Sequence, residues 1–197
     1  MTQSAQRTPE TDESPITLFL SGDVMTGRGI DQILPRPGDP TLHERAVSDA
    51  RTYVDIAEQH SGRLPRERGF DYVWGAALDE LTRVSPDLRI INLETAVTTS
   101  DDYWTGKSVH YRMNPRNIPC LTAAEIDCCI LANNHVLDWG YAGLEETLEV
   151  LDKAGIQTAG AGSNLTEAQR PAVFELSDRD RVLVFGVGAA SSGIPAQ

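Results

Sequence analysis

The stretch IDCCILANNHVLDWG, residues 126–140, gives the clearest indication of the fold. Its first half, 126–132, is a short apolar run without solvent-facing alternation, which is typical of a parallel strand covered on both faces. Polar side chains follow at once, at the carboxyl end of the strand, where open α/β sheets place their ligand sites. Beyond Gly140 leucines recur at helical spacing, so the stretch predicts a strand, a polar turn and a helix.

The polar turn of this unit collects several groups that can act in catalysis or binding. Asn133, Asn134, His135 and Asp138 lie within six positions. They offer amide and carboxylate oxygens beside an imidazole that titrates near neutrality. Structural roles are the alternative, because Asp138 suits the N-cap of the following helix and the asparagines suit turn positions. The clustering directly after a buried strand favours a functional site.

Two other strand ends carry similar side chains. Residues 16–20 (ITLFL) predict a buried strand that runs into Asp23 on a glycine-containing turn. A metal ligand or a phosphate-facing group is commonly presented there, although a turn cap is the alternative. Residues 88–93 (LRIINL) predict a further strand, and period-two spacing places Asn92 and Glu94 on one side of the chain. Three strands therefore end in acids or amides, which predicts one shared site.

Other segments predict the frame around this site. The predicted helices are 42–60 and 71–84, and 31–40 is a predicted loop. Residues 156–162 predict a strand and a turn, and the last predicted strands, 172–176 and 182–187, are joined by a predicted turn at 177–180. Gly160 and Gly162 lack a third glycine at dinucleotide spacing, which argues against a nicotinamide site.

Substrate-binding residues are predicted from two polar segments. Residues 98–116 have little core-forming pattern and predict an excursion over the sheet. This excursion contains a mixture suited to substrate contact, namely Trp104, Lys107, His110, Tyr111 and Arg112, with an ordinary packed loop as the alternative. Trp104, His110 and Arg112 are the predicted substrate-binding residues among them. Arg28 suits pairing with an anion or with the carboxylate at position 23.

Composition bounds the possible partners. A length of 197 residues suits one domain with a sizeable core. The chain carries 29 acidic against 17 basic residues, a formal charge of −12. Such a charge argues against binding a phosphate backbone, so no nucleic-acid partner is expected.

The start of the chain and the cysteines indicate the compartment. Residues 1–15 are polar and match neither a signal peptide nor a membrane anchor. They predict a disordered tail before a domain over 16–197. Cys120, Cys128 and Cys129 are odd in number and lack a disulfide or metal-type spacing. They predict core thiols in a reducing cytoplasm.

Four motifs together closely resemble one protein family. They are SGDVMTGR at 21–28, INLETAVT at 91–98, LANNHVLDWG at 131–140 and AGIQTAGAG at 154–162. In order and spacing they resemble the CapA family of poly-γ-glutamate capsule synthesis proteins, which is similar to the calcineurin-like metallophosphoesterases. The resemblance implies an α/β fold, a β-sandwich flanked by helices, of which this chain would be the N-terminal portion.

The resemblance also implies roles for single residues. The implied metal ligands are Asp23, Asn92 or Glu94, and Asn134 through its amide oxygen. His135 would be the general acid or base beside them. Asp23 and Asp138 are the carboxylates that we predict to act with His135 in catalysis. Oxygen-rich ligands of this kind suit a hard divalent ion such as Ca²⁺, Mg²⁺ or Mn²⁺.

Several functions stay open at this point. The first is metal-assisted acid/base chemistry on a peptide or polyglutamate-like backbone, which covers hydrolysis, amide transfer and Cα epimerisation. Epimerisation is included because peptide epimerases of lasso-peptide pathways resemble CapA members. Phosphoester hydrolysis is disfavoured, since Met25 stands where the phosphoesterases carry a histidine ligand. A non-catalytic role in a biosynthetic complex is the third. Independently of these alternatives, a C-terminal fragment or a second chain is an expected partner that would complete the site.

Overall fold

The computed structural model describes residues 15–65, 68–176 and 180–194. The strands are β1 (Leu18–Val24), β2 (Leu88–Leu93), β3 (Ala96–Val97), β4 (Arg112–Met113), β5 (Cys128–Ile130), β6 (Gln157–Ala159), β7 (Ala172–Glu175) and β8 (Arg181–Val184). The helices are α1 (Arg28–Ile33), α2 (Arg51–Ser61), α3 (Ala77–Val84), α4 (Pro119–Thr122), α5 (Gly140–Lys153) and α6 (Leu165–Ala168), with single 3₁₀ turns at Pro115–Asn117 and Ala190–Ser192. Residues 1–14 of the predicted tail and 177–179 of the last predicted turn lie outside the described residues.

A parallel sheet forms the centre of the fold. Its strand order is β1-β2-β5-β6, and β3 with β4 and β7 with β8 form two smaller sheets. The α/β class is confirmed, with the central parallel sheet flanked by helices. The predicted strand, turn and helix over 126–140 is also confirmed, because β5 is followed by a polar turn and then by α5.

Side chains on the two faces of the sheet alternate along each strand and build two apolar clusters. On one face Ile91 and Cys129 pack with residues of the helices, among them Leu121 of α4 and Leu151 of α5. On the other face the cluster is smaller and receives β7 and β8 through Ala172, Val184 and their neighbours. The three cysteines are buried and free, as predicted.

The first strand is less buried than its sequence predicts. Leu18 and Leu20 pair in register with Leu88 and Ile90 of β2, so they stand on the same face as the smaller cluster. They are nevertheless 41% and 67% exposed. The expectation of a buried first strand was wrong, because β1 is at the edge of the sheet and this part of the face is uncovered in the described residues.

Three predicted boundaries were wrong for local reasons. The segment before Arg51 is not helical, since Thr41 and Asp49 form an antiparallel bridge there. The helix predicted from residue 71 begins at Ala77, after turns that include Gly75 in left-handed backbone (φ 51°). The predicted loop 31–40 begins inside α1, and the excursion predicted over 98–116 contains the short strand β4.

Within residues 15–65, 68–176 and 180–194, no helix has both the length and the apolar character needed to cross a bilayer.

Candidate active site

The carboxyl ends of three adjacent parallel strands bring the predicted site residues together. Asn92 Nδ2 of β2 donates to Asp23 Oδ1 of β1 over 2.7 Å. Asn133, just after β5, donates to Asn92 Oδ1 over 3.1 Å, and its own Oδ1 accepts from the His135 backbone N–H. A continuous chain of amides therefore links Asp23 to the turn that carries His135.

A bulge in β1 places Asp23 in this chain. The register with β2 shifts between Ser21 and Asp23, so that Asp23 lies opposite Asn92. Bulges of this kind re-aim a side chain and occur beside active sites. The expectation that Asp23 lies on a turn after the strand was wrong, since it is inside β1.

A short contact between His135 and Asp138 forms the core of the site. His135 Nδ1 is 2.6 Å from Asp138 Oδ2, and the Tyr111 backbone N–H donates to the same oxygen over 2.7 Å. Asp138 is completely buried. Because a carboxylate only accepts, this contact places the proton on Nδ1 and leaves Nε2 with the free lone pair.

The alternative role of Asp138 as a helix cap was wrong. Helix α5 begins at Gly140 with Trp139 as its N-cap, and no side chain caps it. The Asp138 carboxylate points instead at His135 and at residues of the excursion. These contacts favour a functional role for the Asp138 carboxylate over a capping role.

The excursion supplies two site residues, Lys107 and Tyr111, that the sequence analysis named in its polar mixture but did not assign to the site. Lys107 Nζ is 2.5 Å from Asp138 Oδ1 and 2.5 Å from the Asn134 carbonyl oxygen. The ring of Tyr111 stacks on the His135 imidazole, with centroids 3.9 Å apart and planes at 15°. Their place in the mixture was the sequence signal, and the chain has only one other lysine, Lys153.

A glycine allows the excursion to approach the turn so closely. Gly140 has φ +65°, which side chains other than glycine rarely adopt, and a Cβ there would overlap the Asp102 carboxylate. The first residue of α5 is therefore restricted to glycine by both backbone and space.

Glu94 faces the free side of the imidazole. Its Oε1 is 3.8 Å from His135 Nε2. Burial raises the pKa of Glu94, and the negative charge of Asp23 raises it further, while His135 and Lys107 act in the opposite direction. Two carboxylates therefore share this side of the site.

The carboxylates of Asp23 and Glu94 are the candidate ligands for a divalent ion. No cluster of three or more His, Cys, Asp or Glu side chains suited to a metal occurs within the described ranges. Asp23 and Glu94 form no ion pair with lysine or arginine in the same ranges. Mg²⁺ typically keeps several waters and uses one or two carboxylates, so the pair fits an ion of that class bound in an open site. The Asn92 amide is already engaged with Asp23 and Asn133.

Arg28 lies behind the site rather than beside Asp23. Its Nε donates to Glu44 over 2.7 Å, and its guanidinium lies 5.0 Å from the Tyr111 ring centroid and 4.9 Å from that of Tyr53. The suggested pairing with Asp23 was wrong, because Glu44 is the carboxylate that Arg28 contacts. Arg28 also has a left-handed backbone (φ 50°), a strained state for a residue with a side chain.

The other predicted substrate-binding residues lie in the excursion and its surroundings. His110 is buried, and its Nε2 is 2.8 Å from the Trp104 carbonyl oxygen. Arg112 lies 3.8 Å from the Trp139 ring and donates to the Ser100 carbonyl oxygen. These contacts hold the excursion on the turn. Arg28, His110 and Arg112 line a small pocket beside Trp139, whereas Trp104 borders a larger cleft.

The larger cleft lies beside the turn that carries His135, since Asn133 and Asn134 line it. It has a volume of about 610 Å³ and is lined by Trp104, Lys107, Asn133, Asn134 and residues of the small-residue segment 187–193. Ligand sites of small molecules commonly have this size. The cleft provides room for a substrate beside the turn 133–138.

The sequence matches known proteins over most of its length. The family model described as "Bacterial capsule synthesis protein PGA_cap" matches residues 17–197. The chain is 48% identical over 180 residues to probable polyglutamine synthesis accessory proteins of Mycobacterium tuberculosis strains CDC 1551 and H37Rv, which covers 91% of this chain and 47% of each relative. It is 24% identical over 155 residues to the PGA biosynthesis protein CapA of Bacillus subtilis, covering 78% of this chain and 32% of the relative. The chain thus spans about half the length or less of these curated relatives.

Replacing the buried carboxylate tests how the site is held. We expect Asp138→Ala to lower the free energy of unfolding by about 3 kcal/mol, because Lys107 and the Tyr111 N–H lose their acceptor in a buried place. Asp152→Ala, at an exposed position of α5, is the control and should change it by less than about 0.5 kcal/mol. Guanidinium chloride unfolding measures both. Equal effects of the two substitutions would contradict the structural role of Asp138.

Proposed function

Since this chain belongs to the family of bacterial capsule synthesis proteins PGA_cap, we propose that it serves polyamino-acid synthesis by acid/base chemistry on an amide backbone. The observation that carries the proposal is the buried His135–Asp138 pair, whose imidazole faces Glu94 and whose neighbours Asn134 and Lys107 line a cleft. The names of the relatives refer to polyglutamine synthesis and to PGA biosynthesis. The substrate class is accordingly a glutamyl or glutaminyl oligomer.

His135 is the proton-transferring group in this proposal. With Nδ1–H donated to Asp138, the Nε2 lone pair faces Glu94 and accepts a proton from a water or from a carbon acid next to a carbonyl. Asp138 holds the imidazole in this tautomer and stabilises the imidazolium that forms. The ring of Tyr111 fixes the plane of the imidazole by stacking.

Asp23 and Glu94 are the proposed holders of a divalent ion of the Mg²⁺, Mn²⁺ or Ca²⁺ class. Two neighbouring carboxylates that form no ion pair with lysine or arginine in the described part of the chain favour a bound cation by simple charge compensation. Such an ion, when bound, polarises a substrate carbonyl or lowers the pKa of a water. Asn134 borders the same cleft, and its side-chain oxygen is available as a further ligand.

A binding role without catalysis is the second candidate function. The observation that favours it is the printed name of the M. tuberculosis relatives, which are called accessory proteins. Under this proposal the cleft would hold the oligomer, and the His135–Asp138 pair would serve recognition only.

The acid/base proposal predicts a loss of turnover on replacing His135. We expect His135→Gln to slow conversion of short γ-glutamyl or glutaminyl oligomers by about 10²–10⁴-fold, the usual contribution of general acid–base catalysis. His60→Gln, at an exposed position of α2, is the matched control. Mass spectrometry and chiral amino-acid analysis give the readout. A mass change indicates hydrolysis or transfer, and inversion without a mass change indicates epimerisation. If the unmodified protein produces neither a mass change nor an inversion, this result supports the binding role.

The metal proposal predicts stabilisation by the ion. At a free ion concentration of 100 times Kd, we expect an increase of about 2.7 kcal/mol in the free energy of unfolding, or roughly 5–10 °C in Tm. Asp23→Asn with Glu94→Gln should abolish this shift. The matched control is Glu149→Gln with Asp152→Asn, which removes two exposed carboxylates of α5. A shift that survives in the Asp23/Glu94 variant would contradict the assignment of the ligands.

The uncovered face of β1 supports a polypeptide partner that completes the domain. We propose as its occupant the part of the relatives that lies outside the matched region, because Leu18 and Leu20 stand exposed beside the apolar cluster of β2. Exposed apolar patches of this kind mark interaction surfaces.

Co-purification tests that partner. The non-matching part of the M. tuberculosis relative is expected to co-purify with this chain, and Leu20→Glu is expected to abolish the complex. Leu165→Glu, which alters an exposed leucine of α6, should leave it intact. Separate elution of the two polypeptides would contradict the proposed occupant.

A further inference from the structure

We propose that Lys107 is a positioning residue for the His135–Asp138 pair, delivered to the site by the excursion between β3 and β4. The inference deepens the proposed function and rests on it for the catalytic role of His135. It concerns how the imidazole is held, which can be measured without any substrate.

The contacts of the ammonium group carry the inference. Lys107 Nζ lies 2.5 Å from Asp138 Oδ1, 2.5 Å from the Asn134 carbonyl oxygen and 3.4 Å from His135 Nδ1. One cation thus contacts the residue before the histidine, the histidine itself and the carboxylate that holds it. The turn is clamped at both ends by a group from a different part of the chain.

The two oxygens of Asp138 have separate partners. Oδ1 accepts from Lys107, while Oδ2 accepts from Tyr111 N–H and contacts His135 Nδ1. A carboxylate held at both oxygens cannot rotate without breaking at least one bond. Lys107 therefore determines where Oδ2 lies, and Oδ2 determines the tautomer and direction of the imidazole.

Charge supplies a second reason for the lysine. The Asp138 side chain is 0% exposed and that of Lys107 is 21% exposed. A buried carboxylate is costly unless a cation and hydrogen bonds compensate it. In the described part of the chain, the basic side chains that contact Asp138 are Lys107 and His135. His135 must remain free to transfer a proton, so Lys107 is the residue that compensates the charge of Asp138.

The remaining lysine shows what an ordinary surface pair looks like. Lys153 Nζ is 2.5 Å from Glu149 Oε1 on α5, with side chains 69% and 62% exposed. Exposed pairs of this kind contribute little to stability. The chain thus contains one lysine at the candidate site and one matched control on the surface.

Two measurements on the free protein test the proposal. The first is the NMR resonance of the His135 Nδ1 proton, assigned through His135→Gln. We expect Lys107→Met to shift this resonance or to lose it to solvent exchange, while Lys107→Arg retains part of it and Lys153→Met leaves it unchanged. A folded Lys107→Met variant with the resonance unchanged would overturn the proposal.

The second measurement needs no variant at position 107 to fold. Labelling the lysines with ¹⁵N gives two ammonium groups, and that of Lys107 is expected to exchange slowly and to show contact with the His135 ring. Rapid exchange of both ammonium groups would overturn the proposal.

With substrate, Lys107→Met should lower kcat by about 10²-fold with little change in KM, as expected for a misplaced catalytic group. If the NMR results are as expected but the unmodified protein converts no oligomer, the positioning role of Lys107 is supported and the proposed function is contradicted.

Discussion

The buried carboxylate of Asp138 is the constraint on which the rest of the site depends. A carboxylate with no exposure must be met by donors or a cation, since its desolvation is otherwise too costly for a folded protein. Here the donors come from three places: the imidazole three residues earlier, the backbone of Tyr111 and the ammonium of Lys107. Satisfying one charge thereby joins the turn after β5 to the excursion before β4.

Parallel pairing of β1, β2 and β5 provides the second part of the arrangement. Strands that run in the same direction end at one edge of the sheet, so side chains distant in sequence meet there. Asp23, Asn92 and Asn133 form a hydrogen-bonded row across these ends, and the bulge in β1 brings Asp23 opposite Asn92. The acidic side of the site is built by strand register, whereas the His135 side is built by a turn.

The chain belongs to the PGA_cap family, and its geometry gathers polar side chains at one edge of the central sheet. The polar residues of three of the four motifs meet at the same edge of the sheet, beside a cleft. The chain covers 47% of the M. tuberculosis relatives, and one apolar face next to β1 is uncovered in the described residues. A site assembled at a sheet edge next to an open face is suited to being completed by further polypeptide.

The sequence by itself determined the α/β class, the strands β2 and β5, the helix α5 and the set of polar strand ends. These features follow from local patterns, namely apolar runs, helical spacing and polar residues directly after a strand. Only the tertiary structure decided the partners of those side chains. Arg28 contacts Glu44, which no pattern predicts, and the exposure of Leu20 depends on what covers the sheet. Lys107 and Tyr111 reach His135 from about 25 positions away, because the excursion folds back onto the turn, and contacts of this kind leave no periodic signal in the sequence.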